Sequence, residues 1–375
     1  MPSRTPAANI ALTHAHPPAH GRIRQHLPAL ASVAALLLLP WLAQWGGLHW
    51  VRVLAMCQIY ILLAVGLNLI VGQAGLLDLG YIGFYAVGAY LYAWLNSPHL
   101  AEHFALWQGL GGPTWRTPWW LVLPAAMLAA ALAGVLLGAP TLKLRGDYLA
   151  VVTLGFGEII RLLIVNLDHP VNLTDGARGL TQIASLHVLG VDFNQAWPPP
   201  GGEGGSLAPV TLHALFIGAA AGLVLLLLRR LETSRTGRAW RALREDEMAA
   251  QAMGLNIPAL KLLAFAIGAA IAGLAGALFA SLQAFVSPES FSLQESVLVV
   301  AMVIFGGAGH LPGVVLGAVL LAGLPELLRY GLDLMGTESV AGFDRHALRP
   351  LLVALAMVVM PLWRSEGLWP ERSSR

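Results

Sequence analysis

Apolar residues run through this chain in long unbroken blocks. Six windows hold no Asp, Glu, Lys or Arg at all: Leu27–Val51, Val53–Leu77, Leu79–Ala101, Thr117–Leu142, Leu262–Pro288 and Ser296–Pro325. About 20 such residues cross a hydrocarbon layer as one helix. With the weaker windows between them, the pattern predicts ten spans, at 27–46, 53–72, 75–95, 119–139, 148–167, 211–229, 262–285, 293–308, 312–329 and 347–363. Only Gly72-Gln73-Ala74-Gly75 separates the second span from the third, so part of the third could be re-entrant, with Asp78 near its start. The predicted fold is an all-α, polytopic transmembrane bundle of about ten spans (27–363), between a disordered tail at 1–26 and a short tail at 364–375.

Composition agrees with this pattern. The 375 residues are 57% hydrophobic and 11% charged, against about 25% charged in soluble domains. The basic residues set the orientation, because cytoplasmic loops are enriched in Lys and Arg. With the N-terminus inside, that side holds Arg4, Arg22, Arg24, Lys143, Arg145, the cluster at 229–261, Arg364, Arg372 and Arg375. The opposite loops hold only Arg52, Arg116, Arg178 and Arg345, with Arg349 near a boundary. Both termini are then cytoplasmic, the loop 230–261 lies inside, and the long loop 168–210 lies outside. Trp41, Trp45, Trp50, Trp115, Trp119, Trp120 and Trp363 fall near predicted span ends, as an aromatic belt does. The apolar run after Arg22 and Arg24 is too long for a signal-peptide core and lacks an early small-residue cleavage site, so it reads as an uncleaved span. Cys57 is the single cysteine and reads as a small buried apolar residue. His14, His16, His20 and His26 are spaced by prolines and fit a disordered tail better than a metal site.

Catalytic signatures are missing. The two lysines, Lys143 and Lys261, do not follow glycine, so no phosphate-binding loop of the Gly-Lys type exists. There is no His-Glu-x-x-His, no Gly-x-Ser-x-Gly and no Cys/His metal set. The chain reads as a non-enzyme that binds no metal or cofactor itself.

Three other features carry chemistry. Glu158 and Arg161 lie three apart on a predicted span and can pair. Such a pair usually faces a bundle interior or a water-filled path; it either lines the path of a zwitterion or braces two helices. Gly155 and Gly157 beside it allow close approach to the backbone. Small residues repeat every four positions at Gly268, Ala272 and Gly276, with Ala269, Gly273 and Ala277 alongside, which predicts tight helix packing. The turns Gly72-Gln-Ala-Gly75 and Gly306-Gly-Ala-Gly309 are similar enough to raise an internal repeat. The third feature is an island of charge, Arg229 to Lys261, which holds seven of the 22 Lys and Arg residues. Between Gly237 and Gly254 it suits one or two short helices. Trp240, Leu243, Ala250 and Met253 would form an apolar stripe, against Arg241, Arg244, Glu245 and Asp246. Gly254 would end the helix in a left-handed conformation. The bland reading is a helix lying on the inner leaflet; the sharper one is a docking surface for another protein.

The run Glu247-Met-Ala-Ala-Gln-Ala-Met-Gly254 resembles the coupling loop of bacterial ABC importer permeases. Further pieces, Gly66-Leu-Asn-Leu69, Gly75 to Tyr90, Leu142 to Arg161, Gly237 to Glu247 and Gln283 to Phe291, are similar to the branched-chain amino-acid permeases of that group, most closely the LivM-type subunit, over roughly residues 50–370. The resemblance implies a bundle of the ABC importer permease type in a bacterial cytoplasmic membrane, importing leucine, isoleucine and valine. It implies a second homologous permease, two ATPase subunits that hold ATP and Mg, and a periplasmic or lipid-anchored binding protein. The coupling surface would be Arg238, Arg241, Glu245, Asp246, Glu247, Ala249, Ala250 and Gly254. Path candidates are Gln73, Asp78, Gly155, Gly157, Glu158 and Arg161. There are departures: Asp78 stands where the family more often has an apolar residue or Ser, Arg178 interrupts the Asp175-Gly-Ala-Arg-Gly179 loop where Asn is usual, and the coupling loop lacks a Leu-Pro ending. These leave urea, short amides and other amino acids open as cargo. An ion-coupled transporter using Glu158 or Asp78 is the alternative of another class.

Overall fold

In the computed structural model, the described residues are 36–100, 117–141, 144, 146–169, 172–188, 190–197 and 207–334, with short pieces at 339–340, 343–344, 351, 354–355 and 368. The histidine tail, the Pro-Gly cluster at 198–205, the C-terminal tail at 364–375 apart from position 368, and most of the tenth predicted span lie outside them. An apolar helical segment, Leu36–Gly46, precedes ten helices. These are α1 (Leu48–Asn68), α2 (Ile82–Asn96), α3 (Trp119–Thr141), α4 (Asp147–Asn166), α5 (Pro209–Thr233), α6 (Arg235–Glu245), α7 (Glu247–Ala252), α8 (Ile257–Gln283), α9 (Leu293–Gly306) and α10 (Leu311–Leu334). Among the described residues, six helices are long and apolar enough to cross a membrane: α1 with its extension to Gln73, α3, α4, α5, α8 and α10. Among the described residues, strands are limited to two antiparallel ladders, His187–Val188 with Val191–Asp192 and Ser339–Val340 with Phe343–Asp344.

Helix α8 is the axis of the bundle, packed against α1, α2 and α3. Its stripe of small residues makes this possible. A Cβ on Gly276 would fall 2.1 Å from the Tyr85 carbonyl oxygen, and one on Gly273 would meet the Ala130 methyl at 2.5 Å. In a bilayer, helices gain little from burying apolar surface against each other, and such close backbone contact supplies the attraction instead.

The third predicted span needs correction. The helix does not begin at position 75: α1 ends in a π turn, Leu69–Gln73, the chain is irregular from Ala74 to Gly80, and α2 starts at Ile82. The break is stable because side chains satisfy the freed backbone, as they must away from water. Thr153 Oγ1 accepts from Leu79 N at 3.0 Å, Asp78 Oδ1 accepts from Gly80 N at 2.9 Å, and Ser296 Oγ donates to the Leu79 carbonyl. Gly80 rests on Gly157 of α4, with no room for a side chain. Helix α9 is also short. The 3-10 turn Pro288–Phe291 leads into it, and a bridge between Leu180 and Val286 ties that entry to the 172–197 loop.

Candidate functional site

The charged island folds into α6 and α7, both capped by their own sequence. Ser234 leaves the helical region after α5, and its hydroxyl accepts from Gly237 N at 3.3 Å. Asp246 separates the two helices in an extended conformation and caps α7, accepting from Met248 N at 2.8 Å and Ala249 N at 3.1 Å. These are the expected roles of Ser and Asp at helix N-termini. Gly254 follows with φ +84°, the left-handed turn predicted for it, in open space. Asn256 then caps α8, accepting from Ala259 N at 3.3 Å.

Three contacts fasten this pair to the bundle. Trp240, fully buried, donates from Nε1 to the Leu260 carbonyl at 2.9 Å. Lys261, buried at the start of α8, pairs with Glu247 at 2.9 Å. Arg244 Nη1 donates to the Gly72 carbonyl at 2.6 Å. The third contact joins α6 to the turn that ends α1. That turn in turn holds the one between α9 and α10. Asn68 Oδ1 accepts from Gly309 N at 2.8 Å, and Gln73 Nε2 donates to the Gly309 carbonyl at 3.0 Å and to Glu232 Oε1 at 2.8 Å. The two Gly-rich turns, read in the sequence as a possible repeat, thus meet in space with Arg244 against both.

Several expected placements change. Trp240, Leu243 and Ala250 are buried as the stripe required, but Met253 is 84% exposed. Asp246 breaks the helix, so residues after it follow a new phase, and Met253 falls beyond the end of α7. Ala250 faces the bundle, so it leaves no room for an outside contact, and Glu247 is engaged by Lys261. The outward surface holds Arg238, Arg241, Glu245, Asp246, Ala249 and Gly254, together with the exposed Met248 and Met253. Arg238 and Arg241 also donate back to the carbonyls of Thr233 and Glu232.

The path candidates do not form one cluster. Glu158 and Arg161 pair as their spacing predicted, with Arg161 Nε 3.0 and 3.1 Å from the two carboxylate oxygens and Nη2 2.5 Å from Oε1. However, the pair lies on an outer face of α4, its side chains 40% and 31% exposed, rather than in the bundle interior. Gly155 opens to the same outside, whereas Gly157 packs on Gly80. Asp78 is buried within the break between α1 and α2, one oxygen bonded to Gly80 N and Oδ2 without a hydrogen-bond partner among the described residues. Gln73 belongs to the turn junction described above.

Two groupings were not foreseen from the sequence. One is the Arg244–Gly72–Gly309 junction. The other is a part-buried contact, Tyr60 Oη to Glu295 Oε2 at 3.0 Å, between residues 235 positions apart. No spacing rule finds such a pair.

Comparison with known proteins places these features in a family. The profile of the family described as branched-chain amino acid transport system / permease component matches residues 50–361. The chain is 40% identical, over 93% of its length and 76% of theirs, to the proteins named high-affinity branched-chain amino acid transport system permease protein LivM of Salmonella typhimurium and Escherichia coli. It is 26% identical, over 80% of its length and 89% of the relative's, to the permease protein LivH of Salmonella typhimurium. No solved structure matches the chain. An all-helical bundle with apolar spans, a capped helix pair at one end and this coverage by the family profile leave one assignment: the chain belongs to the permease family of branched-chain amino acid transport systems, on its LivM side.

Proposed function

We propose that this chain is the membrane-spanning permease subunit of an ATP-driven importer of leucine, isoleucine and valine. It would work beside a second, homologous permease, with two cytoplasmic ATPases that carry ATP and Mg and a binding protein that delivers cargo from outside. The observation that carries this reading is the capped pair α6–α7. It is pinned to the bundle at Trp240, Glu247 and Arg244, and it presents Met248, Met253 and a mixed set of charges away from it. A helix merely lying on lipid has no need of three pins. A lever does, because displacement of its outer face has to reach the spans without loss. Arg238, Arg241, Glu245, Asp246, Ala249 and Gly254 would meet the ATPase, with the two methionines as adaptable apolar contacts.

Residue charge supports the orientation, with α6–α7 cytoplasmic and the 168–210 loop outside. The relatives' printed names support the cargo. Deleting this gene and measuring uptake of labelled leucine, isoleucine, valine and urea tests the reading. Loss of the three amino acids, restored by the cloned gene, supports it. Unchanged leucine uptake with loss of urea uptake would transfer the chain to the amide carriers.

A further inference from the structure

The contact between Tyr60 and Glu295 stands where the fold does not require a charge. Tyr60 lies midway along Leu48–Gln73, a 26-residue apolar helix. At about 1.5 Å per residue the pair is roughly 18 Å from either end, near the middle of a bilayer. Helix α9, which carries Glu295 in its first turn, has 14 residues. At about 21 Å it is shorter than the ~30 Å hydrocarbon layer, so extended chain and the Pro288–Phe291 turn complete the crossing. The hydroxyl of Tyr60 makes the one side-chain hydrogen bond of Glu295 among the described residues.

The surroundings are aromatic. Phe291, the last residue of the turn that leads into α9, lies four residues before Glu295, and Tyr85 packs on it. The Tyr85 ring meets Phe291 edge-on at 5.2 Å and Phe279 at 5.5 Å, and Tyr90 meets Phe291 at 5.9 Å. Tyr90 is 2% exposed, and its hydroxyl has no hydrogen-bond partner among the described residues. An ionisable residue at this depth is costly and in general marks a solute path. A brace between α1 and α9 would be served by an amide or a hydroxyl. A carboxylate adds a negative charge, which complements a cation, and aromatic faces beside it suit both an ammonium group and an apolar side chain.

We propose that Glu295, positioned by Tyr60, receives the α-ammonium of an amino acid in transit, with the cluster of Tyr85, Tyr90 and Phe291 beside it as the surface for the apolar side chain. This rests on the importer reading above and names the group that reads the cargo's charge within the membrane. The path candidates Glu158 and Arg161 neutralise each other on the outside of α4 and present no net charge to a zwitterion.

The test uses the complete transporter, co-purified with its partners and reconstituted in proteoliposomes, with labelled leucine and labelled urea as probes. Glu295→Gln is expected to lower leucine uptake at least about tenfold. Membrane abundance, co-purification and ATP hydrolysis stimulated by the loaded binding protein should stay within about twofold, because the variant leaves the docking helices intact. Tyr60→Phe keeps the charge and should cost less, about threefold, and Glu295→Asp should retain more uptake than Glu295→Gln. Wild-type leucine uptake by Glu295→Gln at normal abundance overturns the site and leaves the importer reading standing. So does a Glu295→Gln protein that fails to accumulate while Glu295→Asp and Tyr60→Phe both transport as wild type, since that is the behaviour of a brace. A wild-type complex that carries urea and not leucine overturns the importer reading itself, and the site with it.

Discussion

Removing Lys261 and removing its partner Glu247 should have unequal effects, and the structure says by how much. The two side chains meet at 2.9 Å, but Lys261 is 5% exposed and Glu247 28% exposed. Lys261→Met keeps the apolar stem and deletes the ammonium. Glu247 then loses one charge-assisted hydrogen bond but can turn its carboxylate to water, a cost of about 1.5 kcal/mol. Glu247→Ala instead leaves the ammonium buried without its counter-charge, which costs about 3–5 kcal/mol. In the double variant neither charge is present, and the loss should return to about 1–2 kcal/mol, because an apolar pair of similar volume often replaces a buried ion pair at little cost.

The readout is local. Glu247 begins α7 and Lys261 lies in the second turn of α8, so the pair governs how often α7 opens from the bundle. Amide hydrogen exchange of Met248 to Ala252, in the protein held in lipid nanodiscs, reports that opening. Lys261→Met should speed exchange about tenfold, and Glu247→Ala about thirtyfold further. Equal acceleration by the two single variants, or a double variant no better protected than Glu247→Ala, would refute the reasoning.

Further expectations concern the other elements. Gly254 holds φ +84° in open space, so its substitutions pay a conformational cost and no clash. Leucine uptake should fall in the order Asn, Ala, Val at this position, with Val worst, at about 1–2 kcal/mol of local strain, while membrane insertion stays normal; Gly254→Val with full uptake would remove the turn from the coupling surface. Arg244→Met, which cuts the 2.6 Å bond to Gly72, should leave the ATPase bound yet reduce uptake per ATP hydrolysed, by about tenfold for one charge-assisted hydrogen bond; unchanged coupling would exclude Arg244 as the link. In a Cys57→Ala background, Asn194→Cys should react with an impermeant maleimide on intact cells and Met253→Cys only after permeabilisation, and the reverse result inverts the orientation. Glu158→Gln should leave uptake and abundance near normal, because the pair lies on the outer face of α4, and a clear loss of uptake at normal abundance would return the pair to the path.

The sequence announced those features that depend on neighbours along the chain. Uninterrupted apolar runs marked α1, α3 and α8, the four-residue spacing of Gly268, Ala272 and Gly276 marked the packing face of α8, and the composition around Gly254 marked a left-handed turn. The 75–80 break was hidden because Leu76, Leu77 and Leu79 continue an apolar run. The hydrogen bonds that make the break affordable come from Thr153 and Ser296, far away in sequence. Spacing predicted that Glu158 and Arg161 would pair, and they do. Which side of α4 they occupy depends on what packs against the other side, namely Gly80 on Gly157. The stripe through Met253 failed for a local reason: Asp246 was read as part of the polar face, when its extended backbone and two accepted bonds make it the start of a second helix.

The two groupings that spacing could not find are joined by the helices themselves. Helix α1 carries Tyr60 at mid-length and ends at the Gly72 carbonyl held by Arg244. Helix α9 carries Glu295 in its first turn and ends at Gly306, and the Gly307–Gly309 turn that follows is held by Asn68 and Gln73. A rigid helix carries displacement along its axis, and from Tyr60 to Gln73 that distance is about 20 Å. The two elements gripped beneath α6 are therefore the two whose faces meet at the half-buried carboxylate. The π turn Leu69–Gln73 lies between grip and carboxylate on α1, a geometry often found at functional hinges. If α6 moves, it cannot shift Gly72 without altering the Tyr60–Glu295 distance unless that turn absorbs the motion. Straightening the turn by deleting one residue within Leu69–Val71 would rotate everything beyond it by about 100°, so Gly72 would no longer face Arg244. Coupling would then fail with the carboxylate and the docking surface both intact.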